Sequence, residues 1–197
     1  GAFSLVILTD NGEIYGTRDP HGIRPLVLGQ LPDGWALASE TVALDAIKAD
    51  FCRDVKPGEL IEILPGGEMH SYVYGEPLKA QPCIFERVYF AHPGSYSDGQ
   101  RIRVGREQSG QLLAERMAKK NIHPSVIVPV LDSGMWATLG VSKKLNIPFN
   151  PAVTTDHYKG RTFIRSGQRI EAVNGKHHYT PEGVEDERVG VIDDSAV

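Results

Sequence analysis

Two short runs place carboxylates and a hydroxyl directly after an apolar stretch. The first is Val128-Pro129-Val130-Leu131-Asp132-Ser133-Gly134, and the second is Val189-Gly190-Val191-Ile192-Asp193-Asp194-Ser195. In open parallel sheets, ligands gather at the carboxyl ends of the strands. Adjacent carboxylates at such a place can hold a divalent cation or the two hydroxyls of a ribose. Magnesium suits this poverty of ligands, because it borrows oxygens from phosphates. Each run also has a plainer reading, as a solvated acidic turn or as a cap on the helix that follows. A third run, Tyr158-Lys159-Gly160-Arg161-Thr162-Phe163-Ile164, offers a guanidinium suited to bidentate phosphate contact. It lies in a long polar segment, Asp156 to Arg188, and loops of such length are usually functional or disordered.

The elements that must position these residues differ between the two parts of the chain. Phe3 to Leu8 and Ile14 to Gly16 flank the turn signal Asp10-Asn11-Gly12, which predicts a hairpin. Further short strands are expected at Pro25–Gly29, Trp35–Ser39, Leu60–Leu64 and Met69–Tyr74. A short helix is expected over Thr41–Ala49, capped by Ser39 or Thr41. This is the pattern of an antiparallel sheet with one small helix. After a connector at Pro77–Pro82 the texture changes. Val104 to Lys120 predicts an amphipathic helix with Leu112, Leu113 and Met117 on one face. Ser125 to Leu131 is a continuous apolar run, typical of a buried parallel strand, and a helix from Met135 to Leu145 follows. Another short strand is expected after Asn146–Phe149, and one at Val189–Ile192. Helices alternating with apolar strands predict a parallel α/β arrangement.

Composition narrows the classes. The chain has 197 residues, 41% hydrophobic and 23% charged, with a formal charge of -4. An acidic average argues against a nucleic-acid surface. No apolar run approaches the roughly 20 residues that cross a bilayer, and the first residues do not read as a signal peptide. The two cysteines, Cys52 and Cys83, form no disulfide framework, so a cytoplasmic location is expected. Cys52 is expected in the core. The seven histidines show no metal-ligand spacing. An apolar strand at the very start, and an acidic turn at the very end, raise the expectation of a truncated chain.

These runs resemble the motifs of glutamine phosphoribosylpyrophosphate (PRPP) amidotransferases. The segment 189–197 is similar to the start of the PRPP signature of type I phosphoribosyltransferases. Residues 128–134 are similar to the family's Val-Pro-Asp-Ser-Gly, with Leu131 where Pro is usual. The run 158–164 is similar to the family's Tyr-x-Gly-Arg-Thr-Phe-Ile. Arg18-Asp19-Pro20-His21-Gly22-Ile23-Arg24-Pro25-Leu26 resembles Arg-Asp-Pro-Asn-Gly-Ile-Arg-Pro-Leu of the glutaminase part. Ala38–Asp45 and Val55–Glu59 match as well, so the resemblance runs from residue 2 to residue 197. Departures fall at Thr155-Asp156-His157, where Lys-Asn-Arg is usual, and at Asn174-Gly175, which replaces a basic pair.

The resemblance implies an α/β fold in two parts. Residues 1–84 would be the C-terminal half of an N-terminal-nucleophile glutaminase domain, and 85–197 the first half of a type I phosphoribosyltransferase domain. It implies formation of 5-phosphoribosylamine from PRPP and glutamine, the first committed step of purine synthesis, with purine nucleotides as inhibitors and a dimeric or tetrameric protein. PRPP would be bound by Asp132, Ser133, Tyr158, Arg161, Lys176, Asp193, Asp194 and Ser195, with Mg2+ on Ser133, Asp193 and Asp194. The family's glutaminase nucleophile is an N-terminal cysteine, and residue 1 here is Gly. No glutaminase catalytic residue is therefore placed on this chain, and the chain by itself is expected to be inactive. The 18–26 phrase is expected to shape the sheet core and the domain contact. Cys83 is a candidate ligand of a [4Fe-4S] cluster found in some members, or a buried residue at the junction. Two alternatives stay open: a phosphoribosyltransferase using ammonia or a base, and a regulatory module that binds PRPP or nucleotides.

Overall fold

The computed structural model describes residues 1–75, 78–97, 99–155 and 177–195. The chain forms two compact units, Gly1–Ile102 and Arg103–Val197.

The first unit is built of strands, because β-branched and aromatic residues alternate with turn residues at short spacing. Strands β1 (Ser4–Leu8), β2 (Ile14–Arg18), β6 (Glu59–Ile63) and β7 (Met69–Val73) form an antiparallel sheet in the order β1-β2-β6-β7. Strands β3 (Val27–Leu31), β4 (Gly34–Ala38) and β5 (Asp50–Asp54) form a second antiparallel sheet in the order β4-β3-β5. Period-two alternation divides β3 between two cores. Leu26 and Leu28 pack with Val55, Ile61 and Ile63 between the sheets. Val27 turns the other way, to Leu44 and Ala49 beside α1 (Thr41–Ala46).

The expected hairpin forms, with residues 9–13 as its turn. Three local expectations need correction. The capping position of α1 is Glu40, with no side-chain cap bond; the Thr41 hydroxyl instead accepts from the Tyr96 amide at 2.9 Å. Asp50–Asp54 is a strand, β5, that the sequence pattern does not announce, and Cys52 on it is exposed rather than core. His92–Gly99, whose Pro, Gly, Ser and Asp content predicts loop, includes part of a small hairpin, β8 (Tyr96–Ser97) with β9 (Gln100–Arg101). Before it, Glu86–Phe90 winds as a π-helical turn.

The second unit holds α2 (Ile102–Lys119), β10 (Val126–Pro129), α3 (Met135–Leu145), β11 (Val153–Thr155), β12 (His177–Tyr179) and β13 (Val189–Ile192). β10 and β13 run parallel, and all four β10 residues are buried. On its other edge β10 bridges in parallel to Phe149. β11 and β12 pair antiparallel. One side of β10 packs on the helices, through Ile127, Val141, Ala114, Met117 and Ile192. The other side packs on Ala152 and Val184. The helices meet where Gly110 faces the Ala137 carbonyl and Gly140 faces the Glu107 carbonyl, too close at either place for a side chain. That close crossing sets the rotation of α2. Leu112, expected on its apolar face, is 62% exposed, while Ala114 is fully buried.

Candidate functional site

β10 and β13 end level with each other. Pro129 stands opposite Ile192, and the Val130 amide donates to the Ile192 carbonyl at 2.8 Å. The chain leaves β10 through a tight turn. The Gly134 amide donates to the Val130 carbonyl at 2.9 Å, and the Thr138 amide and hydroxyl both donate to the Gly134 carbonyl. A Cβ on Gly134 would lie 2.6 Å from the Ile192 oxygen, 2.7 Å from the Val130 oxygen and 3.2 Å from the Asp193 Cα. Glycine at 134 therefore lets the turn after β10 touch the turn after β13. Two of the sequence-expected groups, Asp132-Ser133 and Asp193-Asp194-Ser195, are brought to the carboxyl ends of adjacent parallel strands in this way. The cap position of α3 is Gly134, and it has no side-chain cap bond.

The turn after β13 is internally ordered. The Asp194 amide donates to Asp193 Oδ1 at 2.8 Å, and the Ser195 hydroxyl donates to Asp194 Oδ1 at 2.7 Å. Asp194 Oδ2 is buried and has no hydrogen-bond partner among the described residues. A buried carboxylate oxygen left unsatisfied is costly, and a cation or a sugar hydroxyl would satisfy it. The donors present are all oxygens, which suits a hard cation such as Mg2+. Among the described residues no three His, Cys, Asp or Glu side chains converge as a metal site. A cation here would therefore draw its remaining ligands from substrate and water. Tyr158, Arg161 and Lys176 lie outside the described residues.

Cys83 is half-buried and lines a cleft of about 210 Å³ with Arg18, Ile23, Pro57 and Arg87. A [4Fe-4S] cluster takes four thiolates, and the sequence holds two cysteines. This chain alone cannot complete such a site. Another cleft, of about 290 Å³, lies wholly within the first unit and is lined in part by Arg24, Glu40, Asp54, Glu86 and Phe90. None of the residues expected to bind PRPP or a metal lines it.

The Arg18–Pro25 phrase proves to be a built loop. The Asp19 carboxylate, fully buried, accepts the amides of Phe3, His21, Ile23 and Arg24 at 3.0–3.4 Å. Burial pushes its pKa up, but these amides outweigh burial and hold it below the ordinary aspartate value. Arg18 donates to the carbonyls of Gly22, Arg24 and Val55 at 2.7–2.8 Å. Asp-Pro followed by Gly was the turn signal that could have announced this.

An antiparallel two-sheet unit followed by a parallel α/β unit, with acidic turns at the strand ends, describes an α/β protein of the kind expected from the sequence. No protein-family model matches the chain. Curated amidophosphoribosyltransferases do match. That of Synechococcus elongatus is 39% identical and that of Rhizobium etli 41% identical, each over all of this chain and 40% of its own length. A solved structure of glutamine PRPP amidotransferase from B. subtilis, in complex with ADP and GMP, is 34% identical. It has a TM-score of 0.87, covering all of this chain and 43% of that one. The chain thus spans about 40% of the length of the relatives it matches. Along its whole length it is a homologue of amidophosphoribosyltransferases, as the motifs predicted.

Proposed function

We propose that this chain carries the PRPP-binding turns of an amidophosphoribosyltransferase, the enzyme that makes 5-phosphoribosylamine from PRPP and glutamine. The observation that supports this most is the meeting of two acidic turns at the ends of β10 and β13, with Asp194 Oδ2 buried and without a hydrogen-bond partner among the described residues. Asp193 and Asp194 hold the ribose hydroxyls or the cation, and Ser133 the cation or the pyrophosphate, with Asp132 beside it. A Mg2+ ion held by Ser133, Asp193 and Asp194 would supply the charge withdrawal that a departing pyrophosphate needs. Ser195 fixes the Asp194 carboxylate by its hydrogen bond, which leaves Oδ2 for the ligand. Tyr158, Arg161 and Lys176 are assigned to PRPP by the resemblance, Arg161 by a bidentate phosphate contact, and an oxocarbenium-like ribosyl centre must be kept from water.

Residues 1–84 belong to the part that releases ammonia and 85–197 to the part that uses it. A relative crystallised with ADP and GMP supports purine nucleotides as feedback ligands. Among the described residues no helix is long and apolar enough to cross a membrane; a cytoplasmic homo-oligomer fits the reading. Cys83 is the residue this reading offers to a [4Fe-4S] cluster, which would need more thiolates than the two cysteines of the sequence supply.

The test is pyrophosphate release by the protein that carries this chain, given PRPP, Mg2+ and either glutamine or ammonium. Release with both nitrogen sources is expected. Release with ammonium alone would favour an ammonia-dependent transferase. PRPP binding without release would favour a sensing module.

A further inference from the structure

The loop built by Arg18 and Asp19 grips the connector that follows the sheets. Its His21 carbonyl accepts the Gln81 amide at 2.8 Å, and its Ile23 carbonyl accepts the Cys83 amide at 3.2 Å. Arg24, projecting from the same loop, donates to Glu86 Oε1 at 2.7 Å and sits 5.7 Å from the centroid of the Phe90 ring. Glu86 and Phe90 are the first and last residues of the π-helical turn, which the Ala91 amide closes onto the Glu86 carbonyl at 2.9 Å. Beyond the turn, the His92 amide and Ser95 hydroxyl both donate to Glu40 Oε2, at 2.7 and 2.8 Å. The connector is therefore held at both ends by the first unit, on its way to Ile102 where that unit ends.

Two physical points make the Arg24–Glu86 pair more than a fastener. It is partly exposed, 42% for Arg24 and 20% for Glu86, and exposed ion pairs contribute little to stability. The π-helical turn it holds is a rare winding that recurs at functional sites. Residues 78–102 are also the covalent path from the two-sheet unit to the unit that carries the acidic turns. Fixing their course matters to steps that need both units, and little to steps that need one.

We infer that Arg24 and Glu86 are positioning residues that couple ammonia release to ribosyl transfer. The inference rests on the amidotransferase reading above. Its test uses the protein that carries this chain, as wild type, Arg24→Ala, Glu86→Gln and the exchanged pair Arg24→Glu with Glu86→Arg. Three rates are compared: glutamate release from glutamine, pyrophosphate release with ammonium, and pyrophosphate release with glutamine. In the single variants the first two should stay within about twofold of wild type while the third falls about tenfold, a split that separates coupling from general damage. The exchanged pair should recover most of the loss. Amide exchange at Gln81 and Cys83 should quicken in Arg24→Ala while β6 amides keep their rate.

A parallel fall of all three rates would reduce the pair to a structural role, and no change in any rate, or unchanged exchange at Gln81 and Cys83, would overturn the inference. Wild-type protein that releases no pyrophosphate from PRPP with either nitrogen source would overturn the amidotransferase reading, and the coupling role with it. Normal wild-type activity with undiminished coupling in the variants would overturn the coupling role alone.

Discussion

Gly134 and Glu59 show how much a single position can decide. Gly134 lets the turn after β10 meet the turn after β13, because a Cβ would strike the Ile192 and Val130 oxygens and crowd Asp193. Gly134→Ala is expected to force the turns apart and weaken PRPP binding about tenfold or more, read by titration of PRPP in the presence of Mg2+. Glu59 is 2% exposed and accepts from Arg53 through both oxygens, from the Lys56 amide and from Ser71. Burial pushes its pKa up, but the Arg53, Ser71 and Lys56 bonds outweigh burial and hold it down to about 2. A carboxyl depressed in the folded state stabilises it above its unfolded value, near 4.5, and that contribution drains as pH falls from there toward about 2. Glu59→Gln should cost about 2–3 kcal/mol at neutral pH and should flatten the acid limb of a denaturation curve measured between those pH values. The motif residues were legible in the sequence, since Asp132, Ser133 and Asp193–Ser195 all stand at strand ends. The role of Gly134 was not, because it depends on a contact between strands 60 residues apart. Nor was the orphaned Asp194 oxygen, which only burial reveals.

At the scale of elements, the apolar runs were read well and the contested faces less so. β10, α3 and β13 fall where the apolar runs and the helix expected over Met135–Leu145 placed them. β5 went unseen because Asp50, Arg53 and Asp54 give it a polar strand sequence, and its pairing with β3 supplies what propensity does not. The buried face of α2 was misjudged at Leu112, because the helix turns on small residues, Gly110 and Ala114, rather than on its largest apolar side chains. Leu112→Gln should therefore shift stability by less than about 0.5 kcal/mol. Gly110→Val should destabilise by about 3 kcal/mol, since the Ala137 carbonyl leaves no room for a side chain. Chemical denaturation of the two variants decides between the two faces.

At the scale of the molecule, the chain divides into two compact units, the first reaching Ile102. The sequence puts its change of texture after the Pro77–Pro82 connector, whereas the first unit reaches Ile102; His92, Ser95 and Tyr96 are tied to it by hydrogen bonds to Glu40 and Thr41, which no local propensity announces. The central claim is that the two acidic turns of the second unit bind PRPP with Mg2+. It is tested most directly by calorimetric titration of PRPP into the protein that carries this chain, with Mg2+ and after its chelation, beside the variant Asp193→Asn with Asp194→Asn. The account predicts saturable binding that needs Mg2+ and weakens by about two orders of magnitude in the double variant. Equal binding by a folded double variant, or no binding by wild-type protein, would contradict it.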